Sequence, residues 1–297
     1  MPANVPPDRA APIGVFDSGV GGLSVLKQLL RLMPQEEYIY LGDSARVPYG
    51  SKSPATVRLF AQQCAHFLLE RGVKLIVVAC NTASALALEA VQAMTDAPVI
   101  GVIQPAAQAA LQATRNGRIG VIGTRATVTS DAYARQIRAL APVHPGRNGR
   151  SGAPVRVHSQ ACPLFVPVVE EGWTEHPATR LIAQEYLAPV QEAGVDTLVL
   201  GCTHYPLLKP LLQELLPGIR LVDCGEHAAV QARAILAQRG ALVQATGRNG
   251  NPGRARFFVT DEPATFESVA QRFLGFPVAP VERVVIDHWF PEEAPGT

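Results

Sequence analysis

Two cysteines stand where this chain could do chemistry. The stretches Leu75–Leu86, LIVVACNTASAL, and Leu198–Leu208, LVLGCTHYPLL, each open as a short run of Val, Ile and Leu. Such a run reads as a strand buried on both faces. Each then breaks into a cysteine and small polar residues, Cys80-Asn81-Thr82 and Cys202-Thr203-His204, ahead of a helix. In a doubly wound parallel sheet that place is the carboxyl end of a strand, where ligands bind. Two thiols at equivalent places point to two lobes, each presenting one sulfur to a shared cleft. A thiolate is a competent base and a thiol a competent acid, with an unperturbed pKa near ~8.5. A helix N-terminus just beyond each cysteine would favour the thiolate, and the same amides would hold a substrate carboxylate. On opposite sides of one carbon, such a pair could remove a proton from one face and return one to the other, inverting the stereocentre. That chemistry calls for neither a metal nor a redox partner.

The rest of the chain reads as the scaffold for this pair. Ile13–Phe16 is a buried-type strand that empties into Asp17-Ser18-Gly19-Val20-Gly21-Gly22, and an amphipathic helix follows over Leu23–Met33. Glycines there permit a tight turn and close approach of backbone to a ligand. Tyr38–Leu41 is the next strand, ending in the loop Gly42–Gly50; a helix near 56–71 leads to the Cys80 strand, and the helix after it runs to about Met94. After the strand Pro98–Val102 the pattern restarts: a helix from Gln104, the strand Ile119–Ile122, Gly123-Thr124, and a helix near 129–140. Val155–His158 is a strand, a helix of about 177–192 precedes the Cys202 strand, and Leu221–Asp223, Glu226–Arg239, Arg256–Thr260 and 263–273 complete the folded part. Two Gly-rich stretches, 144–154 and 245–254, read as surface loops. Strands and helices alternate throughout, so the fold class is α/β, two similar parallel-sheet lobes with pseudo-twofold symmetry and the site between them. The first lobe is expected over 1–102, completed by 219–285; the second over 103–218; and 286–297 as a loose tail.

Totals bound the function. The chain has 297 residues, 47% hydrophobic and 17% charged, with a net charge of +1. Near-zero charge leaves no electrostatic footprint for nucleic acid or a membrane surface. The N-terminus MPANVPPDRAAP lacks the apolar core of a signal peptide, and no apolar run approaches ~20 residues, so a cytoplasmic protein is expected. The five cysteines form no CxxC pair, which leaves zinc ribbons and thioredoxin-like motifs unsupported. Cys64 and Cys224 read as packed small hydrophobes, and Cys162 as part of a packed turn. The glycine stretch is not GxGxxG, and no Gly-Lys-Ser/Thr follows it, so nucleotide binding is unsupported. None of Lys27, Lys52, Lys74 and Lys209 sits at a strand mouth, which sets aside a Schiff-base cofactor. Four other residues carry two readings each. Asp17 is a helix cap or a functional acid at a strand mouth. His204 is a structural hydrogen-bonder or the tuner of its neighbouring thiol. Glu170 competes with Glu171, and either could face water; Asp43 could be an ordinary turn acid.

Four segments in order, FDSGVGGLSV (16–25), GDSARVPYG (42–50), ACNTASA (79–85) and LGCTHYPLL (200–208), resemble the cofactor-independent aspartate/glutamate racemase family. The resemblance spans about residues 12–275. It implies interconversion of L- and D-glutamate with no cofactor and no metal, supplying D-glutamate for bacterial peptidoglycan. It also implies that Cys80 takes the proton from D-glutamate and Cys202 from L-glutamate. Beside the two thiols, the candidate catalytic residues are Asp17, His204 and Glu170, the last read from the sequence and not from these four motifs. Asp17 and Ser18, Pro48, Tyr49 and Gly50, Asn81 and Thr82, Thr124, Thr203 and His204 fall where the family contacts substrate or tunes a thiol. Departures are small: Ser24 and Ser44 stand where threonine is often found. A relative acting on aspartate or a hydantoin, and a two-lobed binding module whose cysteines only pack, remain the alternatives. The expected partner is the small-molecule substrate, glutamate, and a homodimer is the working expectation for assembly.

Overall fold

Short apolar runs become parallel strands here, and the helices joining them cover the faces of two sheets. The computed structural model describes residues 8–141, 154–243, 255–278 and 280–289. The first sheet contains β1 (Ile13–Asp17), β2 (Tyr38–Gly42), β3 (Leu75–Val78) and β4 (Val99–Gly101). Between them run α1 (Leu23–Leu32), α2 (Pro54–Leu69), α3 (Asn81–Leu86) and α4 (Leu88–Gln92). After α5 (Ile103–Ala113), the second sheet begins with β5 (Arg118–Gly123), followed by α6 (Arg125–Thr129), α7 (Ala132–Leu140) and β6 (Arg156–Ala161). It continues through α8 (Phe165–Glu170), α9 (Pro177–Glu192), β7 (Thr197–Gly201), α10 (Lys209–Leu215) and β8 (Arg220–Asp223). Then α11 (Cys224–Gln238) leads back to β9 (Ala255–Val259), α12 (Pro263–Leu274) and β10 (Val281–Arg283) in the first sheet.

The strand order is β10-β9-β2-β1-β3-β4 in the first sheet and β6-β5-β7-β8 in the second, with every neighbouring pair parallel. In each sheet the first strand in sequence lies between the second and the third, with the fourth outside. This shared order carries the expected likeness of the two lobes. β1, β2, β3 and β7 are buried at every position, which is why they read as unbroken apolar runs rather than alternating ones. One apolar cluster runs from β1 and α1 through α11 and α5 into the second sheet, and a second fills the other side of the first sheet under α2 and α3.

Four details differ from the sequence expectation. The strand at 220–223, expected in the first lobe, pairs with β7, from Thr197↔Arg220 to Leu200↔Asp223. The chain therefore returns to the first sheet only after β8. A short strand carries no local mark of its partner, and here the open edge of β7 takes it. The helix expected near 129–140 starts at Ala132, and a separate short helix, Arg125–Thr129, precedes it where the sequence suggests only a strand-end segment; Asp131 between them has a φ of 55°, in the left-handed region. The helix after Cys80 is two, parted at Ala87. Finally, residues 286–289 are not loose: Ile286 is buried, Gln63 Nε2 donates to Trp289 O at 2.7 Å, and the Trp289 ring stacks on His66 with centroids 4.7 Å apart. The rest of that tail, and nearly all of the two Gly-rich loops, lie outside the described residues. No described helix is long and apolar enough to cross a membrane.

Candidate active site

In the first sheet the chain order reverses between β1 and β3, which opens a crevice at their carboxyl ends. Ala79 N donates to Phe16 O at 2.9 Å, extending the ladder by one step. That step sets Asp17 beside Ala79 and brings Ser18 level with Cys80. The second sheet repeats the arrangement between β5 and β7, whose ends, Gly123 and Gly201, are register partners. Thr124 and Cys202 follow at once. Each cysteine thus occupies the mouth of the third strand of its sheet, as the sequence pattern predicts.

The two crevices face each other. Ser24 Oγ donates to Thr203 O at 2.7 Å across the seam. A Cβ on Gly21 would lie about 1 Å inside ordinary contact with Thr203 Oγ1 and the His204 ring, and one on Gly22 would overlap Asp17 Cβ. Only glycine lets this loop of the first lobe lie against the 203–204 turn of the second. A second seam joins α3 to α6. Thr82 Oγ1 lies 3.0 Å from Thr124 Oγ1 and 3.3 Å from Thr127 Oγ1, and the latter two are 3.0 Å apart. Gly50 meets the same corner, since a Cβ there would come 3.0 Å from Thr124 Cβ.

Both sulfurs are sheltered; Cys80 is 5% exposed and Cys202 6%. Cys80 caps α3, its Sγ accepting from Ala83 N at 3.4 Å, and lies 3.6 Å from Ser18 Oγ. The helix amides nevertheless lose to burial. Desolvation, reinforced by the Asp17 carboxylate, pushes the Cys80 thiol up to about 12 against the pull of Ala83 N–H and Ser18. Burial likewise raises Cys202 well above the ordinary thiol value, opposed by the His204 N–H and reinforced by Cys80, Asp17 and Cys224. The amides do favour the thiolate, as the sequence suggests, but burial outweighs them at both sulfurs. Since Cys80 acts on Cys202 through space, the two sulfurs share one electrostatic environment. Asp17 is itself pushed up by burial and drawn back by the charge of His204 and by N–H groups of Gly22, Gly19 and Ser18. The helix α1 starts at Gly22 with no side-chain cap, so Asp17 is not its cap.

Behind Cys202 stands an imidazole held by a carboxylate. His204 Nδ1 lies 3.9 Å from Cys202 Sγ, and its Nε2 pairs with Glu170 Oε1 at 2.8 Å. One ring nitrogen thus faces the Glu170 carboxyl and the other the thiol. The ring packs edge-on against Phe273, and Arg272 donates to Glu170 O. Glu171 is exposed, so Glu170 is the acid that reaches the histidine.

Two polar atoms in the crevice are buried with no partner among the described residues, Asp17 Oδ1 and Asn81 Nδ2. One is an acceptor awaiting a donor, the other a donor awaiting an acceptor. An unpaired buried group of this kind costs about 1–3 kcal/mol unless a ligand completes it. An amino acid, with an ammonium and a carboxylate on one carbon, offers both complements.

The 48–50 segment divides. Pro48 is exposed, Gly50 lies on the Thr124 corner, and the Tyr49 ring is buried with its hydroxyl donating to Asp43 Oδ2, 3.8 Å from Cys64 Sγ. Asp43 also pairs with Arg46 at 2.8 Å, so this acid anchors the loop. Cys162 is buried, with its carbonyl accepting from Tyr205 OH at 2.8 Å. Sequence reasoning missed Thr127, Tyr133 and Cys224. Cys224, read as a packed residue, directly follows β8, and that strand-end placement was the signal available. Among the described residues no cluster of His, Cys, Asp and Glu is arranged to hold a metal ion.

The family model for Asp/Glu/Hydantoin racemases matches residues 13–232. The glutamate racemase of Geobacter metallireducens is 50% identical over 276 residues, covering 93% of this chain and 97% of that protein. The glutamate racemase of Syntrophus aciditrophicus is 50% identical over 274 residues, covering 92% and 96%. Among solved structures, the glutamate racemase of Francisella tularensis in complex with D-glutamate superposes with a TM-score of 0.84 at 38% identity, covering 95% of this chain and 100% of that one. The match begins at β1 and runs into α11, taking in both crevices and both thiols, and on that ground the chain belongs to the Asp/Glu/Hydantoin racemase family.

Proposed function

We propose that this chain, an isomerase by family, interconverts L- and D-glutamate by proton transfer between Cys80 and Cys202. The observation that carries the reading is the pair of orphaned groups beside the thiols. Asp17 Oδ1 would accept from the substrate ammonium, and Asn81 Nδ2 would donate to its carboxylate. These two anchors orient the α-carbon with one hydrogen toward a sulfur. The thiol facing the vacant side remains protonated because burial holds its pKa up, so it is ready as the acid. The other sulfur must ionise to act as the base. The incoming ammonium favours that step, since a nearby cation stabilises a thiolate. A thiolate formed in a dry site is a stronger base than one in water, which suits a weakly acidic C–H bond. For D-glutamate Cys80 is the base and Cys202 the acid; for L-glutamate the roles exchange. His204, held by Glu170, is placed to take the thiol proton of Cys202 when that sulfur must act as the base.

The same reading assigns the product D-glutamate to peptidoglycan synthesis in the cytoplasm. It also treats 103–223 as one lobe and the flanking segments as the other, a division supported by strand membership in the two sheets. The test is circular dichroism of L-glutamate solutions with purified protein and no added cofactor, run beside L-aspartate. Decay of the glutamate signal to zero, with both thiols required, is expected. Retention of the signal, or decay with aspartate alone, refutes the substrate reading; full activity of Cys80→Ala refutes the two-thiol mechanism.

A further inference from the structure

Asn81 faces two ways. Its Nδ2 is the orphaned donor of the crevice, while its Oδ1 is held from the second lobe. Tyr133, in α7, donates its hydroxyl hydrogen to Asn81 Oδ1 at 2.6 Å. The Tyr133 oxygen in turn lies 2.8 Å from Cys224 Sγ, which also stands 2.9 Å from Leu200 O, two residues before Cys202, and 3.6 Å from Asn81 Oδ1. All three side chains are buried, Tyr133 at 2% exposure, Asn81 and Cys224 at 3% each. The Tyr133 ring lies close against Gly201, where a Cβ would come 3.0 Å from its Cε2.

A primary amide presents an oxygen and a nitrogen of nearly equal size, and only its hydrogen bonds decide which end faces where. Tyr133 has one hydrogen, and the 2.6 Å bond commits it to Oδ1. With the Tyr133 hydrogen committed, the single thiol hydrogen of Cys224 bonds the Tyr133 oxygen from its other side. We propose that Tyr133, backed by Cys224, is a positioning residue that locks the Asn81 amide with its NH2 toward the substrate carboxylate. The proposal rests on the reading of Asn81 as a carboxylate anchor. Without the lock, the amide can turn its oxygen to the carboxylate, and the two like partial charges repel. The lock also joins the lobes, since Asn81 belongs to the first sheet's crevice and Tyr133 to the second sheet's helices.

A double-mutant cycle on the full chain tests this, with Tyr133→Phe, Asn81→Ala and the double variant. Phenylalanine keeps the ring and deletes only the hydroxyl. Tyr133→Phe is expected to raise KM about tenfold, the effect of one buried hydrogen bond lost, with kcat changed less. In the Asn81→Ala background the same substitution should have no further effect on KM, because the amide it positions is gone. A merely structural tyrosine would act differently: it would lower the active fraction, hence kcat, leave KM alone, and do so equally in both backgrounds. An unchanged KM in Tyr133→Phe, or additive losses in the double variant, overturns the proposal. The substrate used is whichever of glutamate and aspartate the wild type racemises. Turnover of aspartate alone refutes only the glutamate reading, and the cycle is then read on aspartate. A wild type inactive on both overturns the two readings together.

Discussion

Gly21→Ala is the sharpest test of how the two lobes meet. The added methyl would lie about 1 Å inside ordinary contact with both Thr203 Oγ1 and the His204 ring. Neither neighbour can yield freely. His204 is held by Glu170 at 2.8 Å, and the 203–204 backbone is held by Ser24 at 2.7 Å. The strain therefore either parts the seam or turns the imidazole off Cys202. Overpacking of this kind costs about 1–3 kcal/mol of stability. For a chain of this size that corresponds to a fall in Tm of about 2–4 °C per kcal/mol. The catalytic cost is expected to be larger, since a displacement of about 1 Å at reacting groups can cost about 100-fold. Gly19→Ala provides the comparison in the same turn: its Cβ would meet Val47 at 3.5 Å, an ordinary contact, so the loss should be far smaller. The assay is racemisation followed by circular dichroism, with thermal unfolding of each variant. A Gly21→Ala protein with wild-type kcat/KM and Tm would refute the close-packed seam and the site built on it.

Three further outcomes follow from the paired thiols. In D2O, product glutamate should carry deuterium at the α-carbon while recovered substrate stays largely protiated early on; similar early exchange into both enantiomers would indicate a single base. Cys80→Ala and Cys202→Ala should each abolish racemisation, yet with a glutamate analogue bearing a β leaving group the first should still eliminate the L-form and the second the D-form. Equal loss on both forms, in folded protein, would remove the division of labour. Alkaline unfolding should also report Cys80. Its thiol is raised from 9.0 to about 12, so the folded state holds that proton longer than the unfolded chain does. Stability is then fully present below about pH 9 and declines as pH climbs toward 12. The urea midpoint of the wild type should fall over that window, and Cys80→Ala should show a shallower fall; identical slopes would contradict the burial of the thiol.

Much of the scaffold was legible in residue order because buried parallel strands leave unbroken apolar runs, as at Leu75–Val78 and Thr197–Gly201. Where such a run stops and Cys80-Asn81-Thr82 or Cys202-Thr203-His204 begins, the chain leaves the sheet. The placement of both thiols at strand mouths is therefore a local property that sequence carries by itself. The four short motifs around those mouths added the family. Pairing is different in kind. Nothing within 220–223 says that β7 rather than β4 or β9 is its neighbour, because sheet membership depends on which edge the rest of the fold leaves open. The choice of Glu170 over Glu171 is equally non-local: α8 turns one toward His204 and the other to water. At the thiols the local argument holds in direction and is outweighed. Helix amides are visible in sequence, but the desolvation that outweighs them is summed over every element around the crevice. Tyr133, Cys224 and Asn81 are likewise brought within hydrogen-bond reach only by the closing of two lobes, a distance that no spacing along the chain encodes.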